Sequence, residues 1–81
     1  MINVLFFGQL REQLGQEQLT LSEVPPTVAA LREYLAREFA DKASQLVAGK
    51  ALVAVNQTMS DEQAPLAAGD EVALFPPVTG G

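Results

Sequence analysis

A chain of 81 residues, 48% hydrophobic and 19% charged, can bury one small core and is too short for a second domain. Ten acidic against five scattered basic residues leave a net charge of −5. That balance argues against nucleic acid, which needs a basic patch, and favours a partner that is basic at the contact. Cys and His are both absent, which excludes disulfides, side-chain thiolate chemistry and the commonest general base and metal ligand.

The opening run Ile2 to Phe7 (INVLFF) is β-branched and aromatic, bounded by Gly8, and reads as a first strand. It lacks the basic n-region and small-residue cleavage site of a secretory signal, and no apolar run approaches the roughly 18 residues of a membrane span, so the reading is cytoplasmic with no membrane partner. Between Gly8 and Gly15, Leu10 and Leu14 stand at i, i+4, which predicts one or two helical turns. QEQLTLSEV, with Leu19 and Leu21 alternating, predicts a short second strand.

PPTVAALREYLAREF carries the plainest helical signal. Pro25 and Pro26 keep the entry extended, Thr27 is placed to cap, and Val28, Leu31, Leu35 and Phe39 form one apolar stripe. Glu33 and Arg37 stand at i, i+4 on the opposite, solvated side. A polar stretch follows around Asp41 to Gln45; ALVAVNQTM predicts a third strand, APLAAGDE a turn through Gly69, and VALF a last strand. Four strands and one main amphipathic helix predict an α+β fold of the β-grasp type, a mixed sheet packed on the helix. The domain is expected at residues 1–75, with an extended tail at 76–81.

A sheet covered on one side should alternate apolar and polar residues. In the first strand both sets are apolar, Ile2, Val4 and Phe6 against Leu5 and Phe7, and in the last strand Val72 and Leu74 oppose Phe75. Two explanations stand open: a central strand buried on both faces, or an apolar patch for a partner that carries Phe7, Phe75 and Met59.

Catalytic side-chain constellations are not found. No glycine-rich phosphate loop is present, and Ser22, Ser44 and Ser60 have no imidazole to activate them. Asp61/Glu62 and Asp70/Glu71 are adjacent in polar turn sequence and read as solvated turns, not as a metal or acid/base pair. What remains is the end of the chain, Pro76-Pro77-Val78-Thr79-Gly80-Gly81. The α-carboxylate of Gly81, with an ordinary pKa of about 3.5, is an anion at neutral pH and a poor electrophile. To act as an acyl donor it needs activation, for instance adenylation, by another protein. Gly80 and Gly81 would thread a narrow channel, and Pro76 and Pro77 would hold the root extended and lower the entropy lost on insertion. At full extension six residues reach about 20 Å. A frayed terminus accounts for the glycines but not for stiff prolines placed directly after a core strand.

VLFFGQLRE at the start, AVNQT and GDEVALFPPVTGG together resemble the small, sulfur-carrying subunits of molybdopterin synthase, a ubiquitin-like β-grasp family, over essentially the whole chain. The resemblance implies that Gly81 is adenylated by an ATP-dependent activating enzyme and converted to a thiocarboxylate. Its sulfur then passes, inside the large synthase subunit, to cyclic pyranopterin monophosphate to build the dithiolene of molybdopterin. It implies further that the chain is not catalytic alone, binds no cofactor or metal itself, and meets both partners through Phe7, Met59 and Phe75, the partners using ATP and supplying the pterin pocket. The alternatives are a sulfur carrier for thiamin thiazole synthesis, a ubiquitin-like protein modifier and a plain interaction module.

Overall fold

The computed structural model describes residues 1–77; the expectations placed on Val78, Thr79, Gly80 and Gly81 lie outside the described residues. The elements run β1 (Ile2–Phe6), α1 (Gly8–Leu14), β2 (Gln18–Leu21), α2 (Val28–Glu38), a 3₁₀ helix (Ala40–Gln45), β3 (Leu52–Val55), β4 (Thr58–Met59) and β5 (Glu71–Phe75). One five-stranded sheet has the order β2-β1-β5-β3-β4, with β1 and β5 parallel and the other pairs antiparallel. This is the expected mixed sheet on one main helix, with one correction to its strand count. ALVAVNQTM is not a single strand: Asn56 (φ 51°) and Gln57 (φ 70°) turn it back as a two-residue hairpin between β3 and β4. Positive φ at both central residues is what a tight hairpin between right-twisted strands requires.

The start of α2 shows how the helix is anchored. Thr27, extended at φ −141°, accepts a hydrogen bond from the Ala30 N–H at 3.2 Å through Oγ1, as its cap position predicts. The two preceding helical N–H groups, on Val28 and Ala29, donate to the carbonyls of Ala64 and Glu62, both at 3.0 Å. The loop that leads towards β5 therefore satisfies the donors that a helix start leaves unpaired. Glu62 adds a second tie: its carboxylate takes two bonds from Arg32, at 2.8 and 2.7 Å. The same guanidinium donates to the carbonyls of Leu46 (2.7 Å) and Ala51 (2.8 Å), so one side chain on α2 joins three segments.

Val28, Leu31 and Leu35 of α2 face the sheet fully buried, as do Ile2, Val4 and Phe6 of β1 and Val72 and Leu74 of β5. Burying a side chain of this size contributes about 1.5–3 kcal/mol, so this single layer of contacts supplies most of the fold's stability. Phe39 sits one residue past the helix, half-buried, with its ring edge-on to Phe6 at 6.0 Å. Among the described residues no polar or charged side chain is fully buried.

Candidate functional site: the open sheet face and the root of the tail

Strand register decides what the uncovered face of the sheet displays. Val4 pairs with Val72 and Val53 with Leu74, so these residues share the helix-covered face. Their chain neighbours then point the other way. Across that other face Leu5 pairs with Ala73, Ala73 with Ala54, and Ala54 with Met59, while Leu52 pairs with Phe75. Phe7 follows β1 in an extended conformation and donates from its N–H to the Leu74 carbonyl at 3.0 Å, which carries the β1–β5 register one step on and sets Phe7 level with Phe75.

The result is a shallow floor of two alanines flanked by Leu5, Leu52, Phe75, Phe7 and Met59. Phe7 is 46% and Met59 59% exposed, and Leu5, Leu52 and Phe75 are half-buried. Of the two explanations for the doubled apolar strands, burial on both faces is therefore set aside: the sheet has one covering layer, and the second apolar set meets solvent. The three residues expected at a partner contact all lie on this face. Phe7 and Phe75 stand side by side on neighbouring strands, and Met59 is on the edge strand at the far side of the alanine floor.

The face is divided. Its other end is polar, where Asn3 pairs with Thr20 and with Glu71 and the Thr20 hydroxyl donates to Asn3 Oδ1 at 2.9 Å. Its apolar end is the end at which β5 runs through Phe75 into Pro76 and Pro77, so the chain leaves the sheet beside the exposed aromatics. Pro76 is half-buried and Pro77 exposed.

The polar turns have structural duties that sequence did not anticipate. Glu62, expected in a solvated turn, is held below the ordinary glutamate pKa chiefly by the hydrogen bonds from Arg32, with charge attraction adding and partial burial opposing. Asp70 is likewise lowered, first by the Ala67 N–H at 2.8 Å and then by the Asn56 amide at 3.0 Å; it ties the hairpin turn to the start of β5. Among the described residues the ion pair is Arg32–Glu62, while Glu33 and Arg37 are both exposed, in keeping with the solvated helix side read from their spacing. Among the described residues, too, no group of acidic side chains is arranged to hold a metal, and no helix is long and apolar enough to cross a membrane. Leu52 and the two floor alanines were not singled out from sequence, because their place on this face depends on a register with β5 that no local pattern encodes.

Comparison with known proteins agrees with this fold. The ThiS family profile matches residues 4–81. The molybdopterin synthase sulfur carrier subunit of Escherichia coli K12 is 51% identical over 81 residues, covering all of both chains. Among solved structures, SAMP1 from Haloferax volcanii superposes with a TM-score of 0.81 at 27% identity, covering 99% of this chain and 98% of that one. A complex of subunits 1 and 2 of the molybdopterin-converting factor from Helicobacter pylori contains a chain matching at TM-score 0.68 and 27% identity, over 99% of this chain and 97% of that one.

Proposed function

The chain belongs to the ThiS family, and from that premise we propose how its tail and its open sheet face divide the work. Its role is that of the sulfur carrier subunit of molybdopterin synthase in molybdenum cofactor biosynthesis, a carrier and not itself the catalyst. In the proposed cycle a separate activating enzyme uses ATP to convert the Gly81 carboxylate to an acyl adenylate, releasing pyrophosphate. A sulfur nucleophile at the oxidation level of sulfide attacks that carbonyl and expels AMP, leaving a thiocarboxylate. In the large subunit the thiocarboxylate sulfur attacks a side-chain carbon of cyclic pyranopterin monophosphate as a carbon–oxygen bond there breaks, the oxygen leaving as water or with the phosphate; water then hydrolyses the acyl–sulfur bond, so the carboxylate returns and the sulfur stays on the pterin. One carrier delivers one sulfur, and a dithiolene takes two.

The observation that carries this reading is the coincidence of the apolar half of the open face with the point where the chain leaves the sheet. Docking Phe7, Phe75 and Met59 on a partner holds the root of the tail against that partner, which turns delivery of the terminus into a local event. Pro76 and Pro77 limit the freedom lost when residues 78–81 enter an active site. The large subunit and the activating enzyme are the two partners the cycle requires, and ATP binds to the latter.

Intact mass before and after a thiol-alkylating reagent tests the reading on protein purified from its own cells. Replacing one oxygen by sulfur nearly matches the mass of one methionine oxidation, and the chain has two Met, so alkylation decides. The expected result is one label, mapped to Gly81; with no Cys in the chain nothing else competes for it. No label, from cells with activation and sulfur supply intact, would overturn the carrier cycle, and tail-linked conjugates on a denaturing gel would replace it with the modifier alternative. Deleting Gly81 is expected to abolish sulfur transfer while the melting temperature stays within about 2 °C, the behaviour of a terminus outside the core.

A further inference from the structure

We infer that Asn56 is a positioning residue for docking: its side chain locks the turn that holds Met59 on the open face. The inference rests on the docking role proposed above for Met59 and adds to it a residue from the polar end of the sheet. Met59 is weakly held by its own strand. β4 has two residues and forms an edge of the sheet, paired among the described residues with β3 alone. The Ser60 N–H donates to the Val53 carbonyl at 3.0 Å, and bonded and unbonded pairs alternate along an antiparallel ladder, so Ala54–Met59 is an unbonded pair. The place of Met59 is therefore set by Ser60 on one side and by the turn at Asn56 and Gln57 on the other.

Asn56 closes that turn against the rest of the sheet. The β3–β5 register runs through Val55 and Val72, so its next pair is Asn56 with Glu71. The Asn56 N–H donates to the Glu71 carbonyl at 2.7 Å, as the ladder requires. The return bond is different: the chain turns at Asn56 with φ 51°, and the Glu71 N–H is accepted by the side-chain Oδ1 of Asn56, at 3.0 Å, in place of a main-chain carbonyl. The other end of the same amide, Nδ2, donates to Asp70 Oδ1 at 3.0 Å, and Asp70 is fixed in turn by the Ala67 N–H on Oδ2 at 2.8 Å. One residue must accept from Glu71, donate to Asp70 and adopt a left-handed backbone. A primary amide on a short stem does all three, and asparagine tolerates that backbone better than most residues with a side chain.

The neighbouring position separates the amide's bonds from the left-handed backbone. Gln57 follows with φ 70°, is exposed, and makes no side-chain hydrogen bond among the described residues. Glycine relieves strain at either position, but only at 56 does it also remove the bonds to Glu71 and Asp70. Exchanging the two partners gives a second handle. Asn56→Asp alone sets two carboxylates face to face where a bond of 3.0 Å stood. When Asp70→Asn is added, the new carboxylate still accepts from the Glu71 N–H, the new amide donates across to it, and the carbonyl of that amide accepts from the Ala67 N–H. Net charge is then the same as in the wild type.

The test titrates full-length chains against the large subunit, with melting temperature read alongside. Met59→Ala alone should weaken binding about tenfold. An unchanged affinity there removes Met59 from the docking face, and this inference with it, before Asn56 is touched. Asn56→Gly should melt within a few degrees of wild type, because relief of the left-handed strain offsets the lost bonds, yet bind about fivefold more weakly. Gln57→Gly should melt no lower than wild type and bind within about twofold of it. In the Met59→Ala background Asn56→Gly should add less than about a twofold further loss. Asn56→Asp should lose about as much as Asn56→Gly, and the Asn56→Asp/Asp70→Asn pair should return to within about twofold of wild type. Wild-type affinity in folded Asn56→Gly, a loss that multiplies with that of Met59→Ala, or an exchanged pair that stays weak would overturn the inference. So would Asn56→Gly and Asn56→Asp chains that both fail to fold, because Asn56 would then serve the fold alone.

Discussion

The two faces of one sheet are built from alternate residues of the same strands, yet they meet different surroundings. On the covered face Val4, Phe6, Val72 and Leu74 are at most 1% exposed beneath α2 and its neighbours. On the open face Phe7 and Met59 are about half exposed, at 46% and 59%, with Leu5, Leu52 and Phe75 only half-buried beside them. The residue types barely differ, so hydrophobicity does not tell the faces apart. What separates them is the presence of a covering helix on one side. Apolar area under that helix stabilises the domain, whereas apolar area beside Pro76 stays open to solvent and is the surface proposed above for a partner.

Substitutions can pull the two faces apart. The largest stability effect is expected on the covered side: Leu74→Ala should cost about 3 kcal/mol, lowering the denaturation midpoint of this small domain by 10 °C or more. Its affinity for the large subunit should fall only as far as the folded fraction falls. Phe75→Glu, one residue along on the open face, should do the reverse. The chain stays folded, with a melting temperature within a few degrees of wild type, while binding to the large subunit weakens by about 2 kcal/mol, some thirtyfold. Unchanged affinity in that titration would remove Phe75 from the contact surface.

A smaller effect sharpens the comparison by touching the charged tie on the covered side. Arg32→Ala removes donors to Glu62, Leu46 and Ala51 and should destabilise by about 2 kcal/mol, read from the denaturant midpoint, with partner affinity of the folded chain unaltered. Glu62→Gln isolates the ionic part. Because Arg32 holds the folded-state pKa of Glu62 below its unfolded value, the carboxylate's contribution is complete above about pH 4.3 and fades as pH falls through the lower folded value. Wild type should therefore exceed Glu62→Gln in stability at pH 7, and the gap should close in acid. A gap that does not change with pH would mean that the carboxylate charge contributes nothing.

Local patterns were legible wherever the cause is local. Thr27 caps α2 because a hydroxyl at that position meets an N–H three residues on, and the stripe Val28, Leu31, Leu35 is buried because helical spacing puts it on one side. The hairpin at Asn56–Gln57 was read through as strand. The usual Asn-Gly signal is absent, and Gln57 adopts positive φ at a steric cost that pairing of Val55 with Thr58 offsets. Of the candidate site, Phe7, Met59 and Phe75 were named from sequence together with a tail that begins at Pro76, but whether the three faced solvent was not legible there.

What the chain's own order of residues determined is the set of elements, the composition of the core stripe, the lack of side-chain catalytic groups and the diglycine after two prolines; each follows from chain neighbours, or from the inventory of residues, and from elementary stereochemistry. Tertiary structure alone decided three things. It placed β5 between β1 and β3, which gathered Leu5, Leu52, Phe7, Phe75 and Met59 on one uncovered face. It tied Arg32 to Glu62 across 30 positions of chain. It also brought Asn56 against Asp70. All three are contacts between segments distant along the chain, set by how the parallel pairing of the first and last strands closes the sheet, and no period or local propensity carries that information.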